Sequence, residues 1–293
     1  MATADPLATG RAAGCTGPGP RSGPWYNRGM PPPRPPDPCA APRRRQRELS
    51  VWMAGRIGWD AYASMAERLA WEVSEPDGRP PTMVLCEVTP SITVGRLGSR
   101  TDIGFTDEEL AARSLAVRFV GRGGGAVAHL PGQVFVALFM PLAELGLARH
   151  AVGPYAERLE TALEGAIRGL RCGTVRDSRA AGVFGRTGLL AAVGVAIRRG
   201  IAWHGAFVNV CPALEVVRRV NTVPARGGGA GGPAIMGSIE ADLGRQVRLP
   251  DARAALVEHV ADAFALTRPN IHAGFPVPIR EPAPSAEPSR SVG

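Results

Sequence analysis

Apolar and polar positions along this chain follow two periods, and the switches between them mark out its elements. Residues 60–73 have helical spacing. Residues 83–88 form a short apolar run that suits a buried strand, and residues 116–120 and 134–140 read the same way. Tyr155, Leu159, Leu163, Ile167 and Leu170 fall on one helical face. Three more strands are predicted at 181–184, 190–197 and 201–210. The polar turn Arg198-Arg199-Gly200 makes the last two a hairpin. Asp107 is placed to cap a helix through Glu108, Glu109 and Leu110. Asp251 is placed to cap a last helix that buries Leu256, Val260 and Phe264. Helices and strands therefore interleave in an α/β (α+β) domain with much antiparallel sheet, and no internal repeat is evident.

The two ends break this pattern. Residues 1–48 carry 11 Pro and 6 Gly with few aliphatic side chains, and residues 30–47 are rich in Pro and Arg. Such a stretch buries too little apolar surface to offset chain entropy. Residues 276–293 look similar. The expected organisation is a disordered arm at 1–48, a folded domain at 49–275 and a disordered tail at 276–293. The net charge of +8 divides accordingly: +5 in the arm, +3 in the domain and none in the tail. An excess of three is small for a nucleic-acid-binding core. Arg43-Arg44-Arg45 reads as a solvated arm, although 30–47 could recruit a partner by polyproline II or Arg–phosphate contacts.

Composition removes several chemistries. All 34 basic residues are Arg, so no ε-amine exists to serve as base, Schiff-base former or acyl positioner. The five cysteines, Cys15, Cys39, Cys86, Cys172 and Cys211, are odd in number and show no C-x-x-C spacing. Neither a zinc site nor a disulfide framework is expected, and no cofactor or metal is called for. The first 30 residues lack the apolar segment of a signal peptide, and no apolar run reaches the ~18 residues of a membrane span. A soluble, cytoplasmic protein is the expectation.

One stretch stands out as a candidate site: Arg122-Gly123-Gly124-Gly125-Ala126-Val127-Ala128-His129-Leu130-Pro131-Gly132-Gln133. Three glycines let a backbone approach a ligand closely and present its N–H groups. By itself a Gly triplet also suits a flexible loop beside a structural histidine. The whole string resembles the lipoyl(octanoyl) transferase family, whose pattern is Arg-Gly-Gly, His, then Gly-Pro-Gly-Gln. Leu130 replaces the first Gly of that last group. Upstream, Glu87-Val88-Thr89-Pro90-Ser91-Ile92-Thr93-Val94-Gly95-Arg96 is similar to the family's strand ending in Leu-Gly-Arg. Downstream, 191–200 resembles its central hairpin, and His204-Gly205 with Asn209-Val210 resembles its His-Gly-x-x-x-Asn-Val segment. The likeness covers about residues 50–265 in order.

The resemblance implies a biotin/lipoyl-protein-ligase-like domain with a mixed, largely antiparallel sheet flanked by helices. It implies octanoyl transfer from octanoyl-acyl carrier protein to a lysine of a lipoyl domain. The acceptors would be the lipoyl domains of 2-oxoacid dehydrogenases or the glycine cleavage H protein, with no nucleic acid or membrane partner, and a monomer is the family-like default. It places an acyl tunnel along Arg122 to His129, along Ala192, Val193 and Gly194, and along Gly205, Ala206 and Phe207. For Ala192 and Gly194, close strand packing explains small residues equally well. The family's chemistry needs a cysteine nucleophile and a lysine that lowers its pKa. Read without gaps, those positions hold Val223 and Leu189. No acyl-enzyme can form on either side chain. Cys211 lies 12 residues before Val223 and is only a weak substitute; Thr222 would need a base, for which His129 and His204 are the candidates. The expectation is a degenerate relative that keeps the acyl pocket, with direct transfer or a displaced nucleophile as the alternative.

Overall fold

The sequence pattern accounts for most of the elements in the computed structural model, which describes residues 48–177, 180–223 and 234–276. The expected arm and tail lie outside the described residues, apart from Glu48 and Pro276, as does the Gly-rich run 226–232. The first half comprises β1 (Glu48–Ile57), α1 (Trp59–Ser74), β2 (Thr82–Val88), β3 (Ser91–Val94), α2 (Asp107–Ala112), β4 (Ala116–Phe119), β5 (Ala126–His129) and β6 (Gln133–Pro141). The second comprises α3 (Val152–Gly169), β7 (Gly182–Gly185), β8 (Gly188–Arg198), β9 (Ile201–Asn209), α4 (Leu214–Val217), α5 (Ile239–Leu243), α6 (Leu249–Ala263) and β10 (Thr267–Ala273).

Seven strands form one sheet in the order β10-β1-β2-β6-β9-β8-β7. The β10–β1 and β1–β2 pairs are parallel and the other four antiparallel, so the sheet is mixed and mostly antiparallel. Side chains alternate between its two faces. One face packs against α3 and α6, where Tyr155, Leu159, Leu163, Leu256, Val260 and Phe264 are buried. The other carries α1 over β2, β6 and β9, with Tyr62, Leu69, Phe135, Phe139 and Phe207 between them. Beside α1, the small sheet β4-β3-β5 closes a third apolar cluster over β7 and β8.

Four local expectations need correction. Asp107 does not cap α2: the cap is Thr106, whose hydroxyl accepts from the Glu109 N–H at 3.2 Å while the Glu109 carboxylate accepts from the Thr106 N–H at 2.9 Å. Arg248, not Asp251, is the N-cap of α6, and Asp251 sits in its first turn, where a negative charge suits the helix dipole. Residues 126–129, not predicted as a strand, form β5 and pair antiparallel with β3. Strands β1 and β10 went unread, β3 was legible only through the family resemblance of residues 87–96, and β1 starts one residue inside the expected arm. Short β3, and β10 with its Pro269, give almost no local signal; long-range pairing makes them strands.

Candidate functional site

The glycine string is held from two sides. The turn after β3 bonds to it through Gly95 N to Gly125 O at 3.0 Å, Arg96 N to Arg122 O at 3.0 Å and Leu97 N to Gly124 O at 3.1 Å. Beyond the end of β7, the edge of β8 takes its place, and the Gly123 N–H donates to Val195 O at 2.9 Å. A Cβ on Gly123 would lie 2.8 Å from that oxygen, so only glycine fits. The string is thus stitched into the sheet rather than left as a loose loop.

Arg122 is 1% exposed. Its guanidinium donates to Thr93 Oγ1 at 2.8 Å, Thr93 O at 2.9 Å and Gly123 O at 2.9 Å, and lies 5.7 Å from the Phe207 ring. No carboxylate pairs with it among the described residues. Burial pulls its pKa down to about 9, which leaves it charged at neutral pH.

Both expected histidines sit beside this cation, and both are engaged. His129 Nε2 lies 2.8 Å from Thr93 Oγ1, while its Nδ1 is buried without a partner. The Thr93 hydroxyl thus stands between Arg122, which donates to it, and the His129 ring. Burial first, then the Arg122 charge, holds His129 well below the ordinary histidine range. His204 Nδ1 lies 2.9 Å from the Tyr62 hydroxyl, whose own pKa burial raises. Burial, then Arg122 and Arg96, lower His204 to about 3. Its φ of +61° turns the ring toward Tyr62, and a Cβ on the neighbouring Gly205 would overlap the Val136 carbonyl oxygen. Trp59 stacks on both imidazoles, at 5.5 and 6.1 Å. Neither histidine is a free base.

The proposed tunnel residues divide between faces. Ala192 pairs with Phe207 and Gly194 with Gly205, which puts these four on the face under α1 and the small sheet. Val193 and Ala206 pack on the opposite face with α3 and α6. Along β5, Ala126 and Ala128 join the third cluster, whereas Val127 joins the α1 cluster and His129 lies on its aromatic rings. Leu189 and Val223 are 34 residues apart in sequence. Leu189 is buried in the third cluster with Ala126, Ala128, Ala192, Phe184 and Met236, and the half-buried Val223 packs against that cluster.

A buried polar relay fixes this region. The Leu189 N–H donates to Ile235 O at 2.8 Å, and its carbonyl accepts from Gly237 N at 3.1 Å and Asn209 Nδ2 at 3.3 Å. Asn209 also donates to Gly237 O at 3.0 Å and accepts from Gln133 Nε2 at 2.8 Å, and Gln133 Oε1 takes the Leu130 N–H at 2.9 Å. Burial makes each partner obligatory, which explains an amide at both positions. Sequence reasoning missed Thr93, Tyr62 and Trp59 as parts of the site. Each is an ordinary strand or helix residue whose role exists only through a distant partner.

The described thiols stand elsewhere. Cys86 is buried in the α1 cluster, where desolvation pushes it up to about 12. Cys172 is pushed up to about 11 by burial and by Asp242, whose carboxylate lies 3.7 Å away. Cys211 is exposed past the end of β9, its N–H on Gly132 O at 2.9 Å; burial, Glu240 and Glu87 all raise its pKa. None of the three belongs to the third cluster. Among the described residues, no group of three His, Cys, Asp or Glu is arranged to hold a metal ion, and no helix is long and apolar enough to cross a membrane.

Three comparisons place this arrangement. Residues 61–261 match the family described as the lipoyl protein ligase A/B catalytic domain. An octanoyltransferase of Geotalea uraniireducens is 32% identical over 206 residues, covering 70% of this chain and 88% of that protein. An octanoyltransferase of Syntrophotalea carbinolica is 30% identical over 200 residues, covering 68% and 86%. Among solved structures, a lipoate-protein ligase A bound with ATP superposes with a TM-score of 0.60 at 14% identity, over 77% of this chain and 89% of that one, which speaks for the fold.

Proposed function

The chain belongs to the lipoyl protein ligase A/B catalytic-domain family, and from that premise we propose that it acts in protein lipoylation by binding a medium-chain acyl group without covalent catalysis. The acyl donor in this reading is octanoyl-acyl carrier protein, and the protein partner is a lipoyl domain. One observation carries it. Leu189 and Val223 stand at the positions where the resemblance expects lysine and cysteine; Leu189 is buried in an apolar cluster that contains no described thiol, and the half-buried Val223 packs against that cluster. The amide relay around Leu189 and the Arg122–Thr93 lock support a kept scaffold. Apolar side chains suit an eight-carbon chain, at roughly 0.8 kcal/mol per buried methylene, but offer no lone pair to a thioester.

The test is intact-mass analysis of the full chain after incubation with octanoyl-acyl carrier protein, alongside an octanoylation assay on a lipoyl domain. The expected result is saturable binding, no octanoyl adduct and no transfer above background. A stable adduct on the chain overturns the reading. Transfer without an adduct favours direct transfer in a shared complex, the reading that the names of the two bacterial relatives support.

A further inference from the structure

The two ends of the large sheet are finished differently. At the β7 end, Val175 exchanges both backbone hydrogen bonds with Phe184, at 2.8 and 2.9 Å, and so occupies the outer edge. At the β10 end, no described strand pairs with the outer edge. The Gly274 N–H donates to Met53 O at 3.0 Å, which sets the parity of this parallel ladder. Asn270 and His272 turn their backbone groups toward β1, whereas Pro269, Ile271 and Ala273 turn theirs outward. Ile271 and Ala273 each present an N–H and a C=O there, and Pro269 presents a C=O alone.

The side chain of Ile271 is 60% exposed beside an apolar groove of about 750 Å³ between β10 and α6, which Met53, Ala254, Val257, Ala261 and Leu266 also line. The described chain ends at Pro276, whose carbonyl accepts from Arg68 of α1 at 2.5 Å, on the opposite face of the sheet. It therefore ends away from the groove. Charge divides along α6. At its start Arg248 and Arg253 outnumber Asp251, and Arg253 is held by Glu87 at 3.0 Å. Its second half carries exposed Glu258 and Asp262 and no Arg.

We infer that a second copy of this chain covers this edge, in place of the monomer that the resemblance implies. The two β10 strands pair antiparallel about a twofold axis through Ile271 and join the two large sheets. A twofold interface must complement itself, and this patch does so in three ways. In hydrogen bonding, Ile271 exchanges both bonds with the partner's Ile271, and the Ala273 N–H meets the C=O of the partner's Pro269. The missing Pro269 donor forfeits only the bond to Ala273 O. In shape, the two Ile271 side chains lie side by side on the α6 face and close the open side of each groove. In charge, the axis sets α6 antiparallel to its copy, so the Glu258–Asp262 end of one helix faces the Arg248–Arg253 end of the other.

The experiment is sedimentation of the full chain over a range of concentrations, with Ile271→Glu compared against Val175→Glu at the closed edge, where Val175 is 64% exposed. Wild type is expected to dimerise. Ile271→Glu should weaken self-association about tenfold or more, because the interface would bury an unpaired carboxylate, and Val175→Glu should leave it unchanged. Circular dichroism reports that both variants fold. Register is read by mild oxidation of Ile271→Cys and Ala273→Cys beside wild type. The twofold sets the two residues 271 about 5.5 Å apart, within disulfide reach, and the two residues 273 about 14 Å apart. Only Ile271→Cys should gain a cross-linked dimer over wild type. A wild-type chain that stays monomeric overturns the inference; slow hydrogen exchange at the Ile271 and Ala273 amides of that monomer would assign the edge to another segment of the chain. A dimer that survives Ile271→Glu, or that Ile271→Cys fails to cross-link, overturns the pairing as well.

Discussion

Two of the described arginines are buried, and they are treated in opposite ways. Arg79 pairs with Glu72 at 2.7 Å, and Glu72 in turn takes Arg68 of the same helix at 3.1 Å. Arg122 is more deeply buried yet meets only a hydroxyl and carbonyl groups. The first arrangement neutralises its charge and ties α1 to the segment entering β2. The second leaves a positive field in the interior, and both neighbouring histidines are depressed by it in addition to burial. A paired buried charge is scaffold; a buried charge with neutral partners sets the electrostatics of what lies around it.

The largest effect expected from breaking this contrast is at Glu72. Glu72→Ala removes the buried carboxylate that Arg79 and Arg68 share and should cost about 3–5 kcal/mol in urea unfolding; a cost under about 1 kcal/mol would erase the distinction. Arg122→Met is expected to cost less, about 1–3 kcal/mol, because Thr93 O and Gly123 O lose their donors while no opposite charge is stranded. The same variant should raise the pKa values of His129 and His204, read from imidazole proton shifts; unmoved histidines would mean that burial alone sets them.

The pH dependence follows from the same field. His204 has a folded pKa of about 3 against an ordinary value of 6.5, and His129 is also lowered. The unfolded chain therefore binds protons that the folded one refuses. The histidine contribution is present above pH 6.5 and is lost as pH falls from 6.5 toward 3. The urea midpoint should drop between pH 7 and pH 5, less steeply in Arg122→Met; a flat midpoint over that window contradicts the buried neutral histidines. The smallest effect is expected at the exposed pair between Arg118 and Asp60. There Arg118→Gln should leave the thermal midpoint unchanged, because solvent already screens the charges.

Much of the fold was legible because helices and buried strands announce themselves locally. Tyr155, Leu159, Leu163 and Ile167 are buried on α3, and the hairpin at Arg198-Arg199-Gly200 is there. The candidate site was legible only in part. Its glycine string could be read, but the expected wall cannot be one surface: Ala192 and Val193 are adjacent in sequence and face opposite layers. Thr93, Tyr62 and the Asn209–Gln133 bond were invisible because each joins residues from 36 to 142 positions apart.

Sequence alone determined the absence of any lysine and the presence of leucine and valine at positions 189 and 223. No folding can change the chemistry those side chains lack. Tertiary structure decided that Leu189 is buried in an apolar cluster with Val223 packed against it, that both histidines are neutral and held, and that Cys211 faces solvent beside acids. The reason is physical. Covalent identity is local, whereas burial, field and proximity arise only when strands distant in sequence pair and exclude water.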